Sequence, residues 1–174
     1  MNLINKKAAI LVEDMYNELE VWVPYYRLKE AGCKVLVVGS GTSLTYAGKY
    51  GIPITVDKSA KEVKAEDFDA VVIPGGYAPD KMRTHPEMVK LVKDAVNMGK
   101  VVASICHGGW MLASADVVKG RRMTSYIAIR DDMINAGALW EDSEIVKDGA
   151  LITSRKPDDL PAFCRAIIET LDQP

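Results

Sequence analysis

Cys106 and His107 are adjacent side chains whose types and setting suit covalent chemistry. They lie in Gly99–Ala115, GKVVASICHGGWMLASA, where a short apolar run bounded by glycine gives way to an alanine- and leucine-rich segment. The run has the pattern of a buried parallel strand and the segment that of a helix. A cysteine at the carboxyl end of a strand, entering a helix through Gly108-Gly109, sits where backbone N–H groups and the positive helix end favour thiolate over thiol. Elsewhere a free cysteine reads as a small buried hydrophobe. The glycines crowded behind Cys106 favour the reactive reading.

The chain has two histidines, His85 and His107. Neighbouring side chains on a turning backbone usually diverge, so contact between Cys106 and His107 depends on the turn. If the turn brings them together, His107 serves as general base or proton shuttle near neutral pH. A carboxylate is then needed to orient the imidazole or move protons at the thiol. Glu20 and Asp80 both fall near expected strand ends, where open α/β sheets bind their ligands. Gly75-Gly76 closes the strand Asp69–Pro74 and either aims amide N–H groups at an oxyanion or simply turns the chain.

The elements that must position these groups follow in order. Lys7–Val12 reads as the first buried strand. A helix is expected from about Glu18 to Ala31, with Pro24 discordant unless the helix starts near Val21 or bends. Cys33–Val38 is a second strand, with Cys33 structural at its start. Gly39–Gly51 is an excursion of loops or short strands, Ile52–Val56 a short strand, and Lys61–Asp67 a charged helix or turn. After Asp69–Pro74 come a helical turn at Pro79–Met82 and a helix from Pro86 to about Met98. The strand Lys100–Ile105 leads into the Cys106 turn. Arg122–Tyr126 is expected as a strand and Arg130–Ala136 as a short helix. Glu144–Val146 and Leu151–Ser154 form a hairpin-like end to the sheet. A last helix, capped by Asp158 or Asp159, buries Phe163, Ala166, Ile167 and Leu171 on one side, with Cys164 as packing within it. Strands alternating with helices predict one α/β domain over residues 1–174, with a doubly wound, mostly parallel sheet sandwiched by helices.

Composition narrows the function classes. The chain has 174 residues, of which 48% are hydrophobic and 26% charged, and a formal charge of −2, which gives no reason to expect nucleic acid as a partner. The basic cluster Lys119–Arg122 reads as a solvated turn. Three cysteines without CxxC spacing point to a reducing compartment, and the absence of a signal-like or membrane-spanning run makes cytoplasm the expected location. Two histidines 22 positions apart, with no HExxH or paired-cysteine motif, predict no metal site. There is no GxGxxG after the first strand and no Walker loop, so no cofactor is expected.

Several stretches, taken in order, resemble the DJ-1/PfpI superfamily in its PfpI, or intracellular protease I, branch. They are Glu20 with Pro24, FDAVVIPGG at Phe68–Gly76, APD at Ala78–Asp80, ASICHG at Ala103–Gly108, TSY at Thr124–Tyr126, DDMINAGA at Asp131–Ala138 and TSRKPDDLPAF at Thr153–Phe163. The resemblance implies a flavodoxin-like sandwich with Cys106 on a strained nucleophile elbow and Glu20 against its thiol. It implies an anion pocket from amides around Gly76 and His107, bordered by Gly75, Gly108 and Trp110. It also implies homodimers, with a hexamer as a larger assembly, in which the carboxylate partner of His107 comes from a neighbouring subunit at the Asp80 position. Aspartate stands there in place of the archetype's glutamate, and Gly109-Trp110 replaces a segment where relatives carry proline. Tyr16, Trp22, Tyr25 and Tyr77, like Trp110, are candidates for interface, pocket or core.

The activities implied by the resemblance are cofactor-independent glyoxalase and deglycase chemistry, peptidase action and chaperone-like protection. The residues suit a thiolate acting on small aldehydes such as methylglyoxal. The alternatives are a cysteine peptidase and a non-enzymatic stress protein that senses oxidants through Cys106.

Overall fold

The computed structural model describes residues 2–173. Its frame is a seven-stranded sheet built from β1 (Lys7–Val12), β2 (Lys34–Gly39), β5 (Lys58–Ser59), β6 (Ala70–Ile73), β7 (Val101–Ile105), β10 (Ile145–Asp148) and β11 (Leu151–Ser154). The order across the sheet is β10-β11-β7-β6-β1-β2-β5. All pairings are parallel except that of the edge strand β10 with β11. The three central strands are apolar apart from Lys7 and Ser104, because helices cover both of their faces.

From β1 the chain winds through α1 (Glu18–Glu30) to β2 on one side, then returns to β6 on the other side of β1. This reversal creates a crevice at the carboxyl ends of β1, β6 and β7, the place where ligands bind in open α/β sheets. Glu20, Gly75-Gly76 and Cys106 follow those three strands respectively. α6 (Leu160–Leu171) packs with α1, while α3 (Pro86–Asn97) packs with α4 (Gly109–Ser114). Opposite winding directions from β1 and β6 place the two groups on opposite faces.

The smaller elements are α2 (Ala78–Met82), α5 (Arg130–Asn135), the hairpin β3 (Thr45–Ala47) with β4 (Pro53–Thr55), and the parallel pair β8 (Arg122–Met123) with β9 (Leu139–Trp140). α1 runs unbroken through Pro24, starting at an Asn17 cap whose side chain accepts the Leu19 N–H. The strand predicted over Arg122–Tyr126 stops at Met123. Beyond it the Thr124 N–H bonds to Thr153 Oγ1 and the Tyr126 N–H to the Cys106 carbonyl, so the segment braces the elbow instead of extending a sheet. Lys61–Asp67 forms parts of two 3-10 turns. Neither candidate aspartate caps α6 by hydrogen bond: Asp159 stands at the cap position, but its carboxylate is taken by Arg155. Among the described residues no helix is long and apolar enough to cross a membrane.

Candidate active site

The β7 strand delivers Cys106 into a 3-10 turn, Cys106–Gly108, that leads directly into α4. Cys106 has φ = 60°, the left-handed region in which an ordinary side chain is strained. The surroundings hold it there. The Tyr126 N–H bonds to its carbonyl at 3.2 Å. A Cβ on Gly108 would lie 2.7 Å from both the Ile73 carbonyl oxygen and Ser104 Oγ, so only glycine lets the elbow press this close to β6. On the other side, a Cβ on Gly75 would lie 2.6 Å from Glu20 Oε2 and 2.7 Å from Cys106 Cβ.

Three groups meet in that space. Cys106 is 8% exposed and its Sγ is 3.3 Å from His107 Nδ1. The turn therefore makes the contact that adjacency alone does not guarantee. Glu20 is fully buried, and its Oε2 accepts the Gly75 N–H at 2.6 Å. The thiol interacts with the same carboxyl. Burial pushes the Glu20 carboxyl up to about 7 against the lowering pull of the Gly75 N–H, the thiol and Lys49. Burial, and then the Glu20 charge, push the Cys106 thiol up to about 12, while the N–H groups of His107 and Gly76 pull it down. The thiolate expected from the turn alone is thus opposed first by burial and then by the charge of Glu20, and a proton on Glu20 removes the second of these. Burial and the charge of Lys49 lower the His107 pKa, which favours a neutral imidazole.

His107 is flanked by Trp110, with ring centroids 5.2 Å apart, and by Tyr126 at 5.0 Å. Trp110 is fixed by donating its Nε1–H to Asp132 at 2.8 Å, and the Arg83 guanidinium lies over its ring. Cavities of 420 and 460 Å³ open elsewhere, near Leu91 and near Leu44, and Cys106 lines neither. Among the described residues no group of three or more His, Cys, Asp or Glu side chains could hold a metal ion. Cys33 and Cys164 are buried away from the site with thiols pushed up to about 11 by burial.

The family model for the DJ-1/PfpI family matches residues 6–170. The chain belongs to the DJ-1/PfpI family. It is 43% identical over 165 residues to a Pyrococcus furiosus protein named Deglycase PfpI, covering 95% of this chain and 99% of the relative. It is 39% identical over 168 residues to a putative cysteine protease of Bacillus subtilis, covering 97% and 99%. A solved two-domain protein from Anabaena variabilis, with DJ-1/ThiJ/PfpI-like and ferritin-like domains, superposes with a TM-score of 0.93 at 47% identity. The superposition covers 95% of this chain and 48% of that one, so this chain spans about half of the two-domain protein. In this DJ-1/PfpI chain Cys106, His107, Glu20, Gly75 and Gly76 converge. Asp80 does not join them within the chain: it is exposed on α2 and makes no side-chain hydrogen bond or ion pair among the described residues. Sequence reading overlooked Tyr126 as a wall of the site and Lys49 as a charge acting on it. Tyr126 lay inside the TSY motif, but its place against His107 comes only from the brace to Cys106. Lys49 carried no local signal beyond Gly48 before it.

Proposed function

We propose that this protein is a cysteine-dependent, cofactor-independent enzyme of the deglycase and glyoxalase type, acting on small reactive aldehydes such as methylglyoxal. The observation that carries this reading is the nearly closed elbow. A cysteine only 8% exposed, beside a histidine walled by Trp110 and Tyr126, admits a small carbonyl compound more readily than an extended peptide. In the active form Glu20 holds a proton and Cys106 is the thiolate. The sulfur adds to the aldehyde carbon, and the oxyanion, facing the Gly76 and His107 N–H groups, takes the Glu20 proton to give a hemithioacetal. Neutral His107 removes the C–H proton from that carbon, leaving an enediolate; the hydroxyl proton passes to the neighbouring oxygen, and the imidazolium returns its proton to the adjacent carbon. The result is a thioester of lactate. Water hydrolyses it, releasing lactate and a proton and restoring the pair.

Two features support action in a homo-oligomer. Asp80 is exposed without a side-chain partner, and His107 Nε2 has no hydrogen-bond partner among the described residues. Asp80 of a second copy would complete the Cys-His-Asp arrangement.

The test incubates purified protein with methylglyoxal, free of glutathione and added metal, and follows aldehyde loss and lactate formation by NMR. Many lactates per chain, lost at least about 100-fold in Cys106→Ala and reduced in Glu20→Gln and His107→Ala, is the expected result. Aldehyde loss without lactate would reject this chemistry for methylglyoxal. Cleavage of a fluorogenic peptide would then favour the peptidase reading, in which the same N–H groups face a tetrahedral oxyanion.

A further inference from the structure

Lys49 lies far in sequence from the elbow, yet its turn is tied through Tyr16 to Gly76, which borders that elbow. Glu18, two residues before Glu20, is 4% exposed, and its Oε1 accepts the Tyr50 N–H at 2.7 Å and the Ile52 N–H at 3.3 Å. The Tyr16 hydroxyl donates to the Ile52 carbonyl at 2.6 Å, and the Lys49 N–H donates to the Tyr16 carbonyl at 2.8 Å. Tyr16 forms one bridge to Gly48 and another to Gly76. One residue thus separates the turn carrying Lys49 from the glycine whose N–H faces the sulfur.

The ammonium stands beside this junction, 5.1 Å from the Tyr50 ring centroid and 6.0 Å from that of Tyr77, the residue after Gly76. Among the described residues it makes no ion pair with a carboxylate. It is an uncompensated positive charge on a clamped turn. After burial, its field lowers the pKa of His107, and it adds the smallest of the pulls on Glu20; its own protonated form is favoured first by Tyr50 and then by Tyr77 and Cys106.

We propose that Lys49 is a specificity-determining residue of the Cys106 site, and that its ammonium selects small carbonyl compounds carrying a carboxylate beside the reacting carbon. The inference rests on the proposed function for its premise that Cys106 attacks a carbonyl carbon. Without Lys49, the single negative charge of the Cys106–Glu20 pair, on sulfur in the active form, would leave the approach electrostatically unfavourable to an anion. With it, the substrate carboxylate pairs at the rim while the carbonyl reaches the thiolate.

The test uses two alkylating probes of similar size, anionic iodoacetate and neutral iodoacetamide. In each the sulfur forms a C–S bond and iodide leaves, so no turnover is needed. Rates at Cys106 are followed by mass spectrometry of the Cys106 peptide. Both reagents consume the same thiolate, so their rate ratio cancels any effect of Lys49 on ionisation. Lys49→Met is expected to lower the iodoacetate-to-iodoacetamide ratio roughly fivefold or more at low salt, and Lys49→Arg to retain it. Raising ionic strength from about 0.02 to about 0.5 M should erode the wild-type ratio and leave that of Lys49→Met nearly flat. Continued iodoacetamide reaction in Lys49→Met, with an unchanged circular dichroism spectrum, verifies an intact site. An unchanged ratio in that variant, or a wild-type ratio insensitive to salt, would overturn the proposal. Failure to make lactate would reject the aldehyde reading without altering either alkylation result.

Discussion

Between Cys106 and Glu20 the protein buries two acidic groups that face one another, and near neutral pH they share a single proton. Below about pH 7 both hold their protons and the sulfur is not nucleophilic. Losing one proton from the pair creates an anion, and the fraction with the charge on sulfur attacks. Iodoacetamide modification of Cys106 should therefore rise with pH through about 7, and that step should vanish in Glu20→Gln, where only the thiol titrates. The same shift has a stability consequence with a definite sign. Glu20 titrates higher folded than its ordinary value of 4.5, so its contribution is fully present below that value and is lost as pH rises through about 7. Glu20→Gln should be more stable than wild type at pH 8 by up to about 3 kcal/mol, with little difference at pH 4, as read by urea denaturation. Cys106 and His107 were legible in the sequence because a cysteine and a histidine leading into Gly-Gly carry a local signal; the place of Glu20 against the thiol came from the family resemblance, since a glutamate near a strand end reads equally as a solvated helix start. The ionisation of the thiol was not legible, because it depends on burial and on a charge from another element.

At the scale of elements, the elbow works because β6 and the turn after β7 approach more closely than side chains usually permit. Gly108→Ala must push the Ile73 carbonyl or Ser104 aside, and should cost about 1–3 kcal/mol in denaturant titration while slowing Cys106 alkylation. Glu18→Ala, by contrast, should leave the elbow intact and loosen the turn Gly48–Ile52, seen as faster amide exchange at Tyr50 and Ile52. The central strands were readable because β1, β6 and β7 are apolar runs broken only by Lys7 at the start of β1 and Ser104 within β7. Arg122–Tyr126 was misread beyond Met123 because its donors serve Thr153 and Cys106, a use that no periodicity reveals. The tie from Glu18 to the β3–β4 hairpin was equally invisible, since its hydrogen bonds span more than 30 residues.

For the whole molecule, alternating strands and helices made the doubly wound sheet legible, while the sequence alone left the meeting of Tyr16, Gly48 and Gly76 unread. If assembly supplies Asp80 to a second copy's His107, turnover per chain should fall on dilution below the association range, and analytical ultracentrifugation should show the same midpoint. The sheet order has one more consequence. The groups around the sulfur follow β1, β6 and β7, so Glu20 and Cys106 stand 86 positions apart in the chain. No local segment contains the site. Before the central strands register, Cys106 is an ordinary thiol in open water, free of the neighbouring carboxyl and of the Tyr126 brace. A pulse of iodoacetamide during refolding therefore timestamps the docking of β7 beside β6, with β1 on the far side of β6: labelling changes from that of a solvated cysteine to that of the native elbow at the moment long-range order arrives.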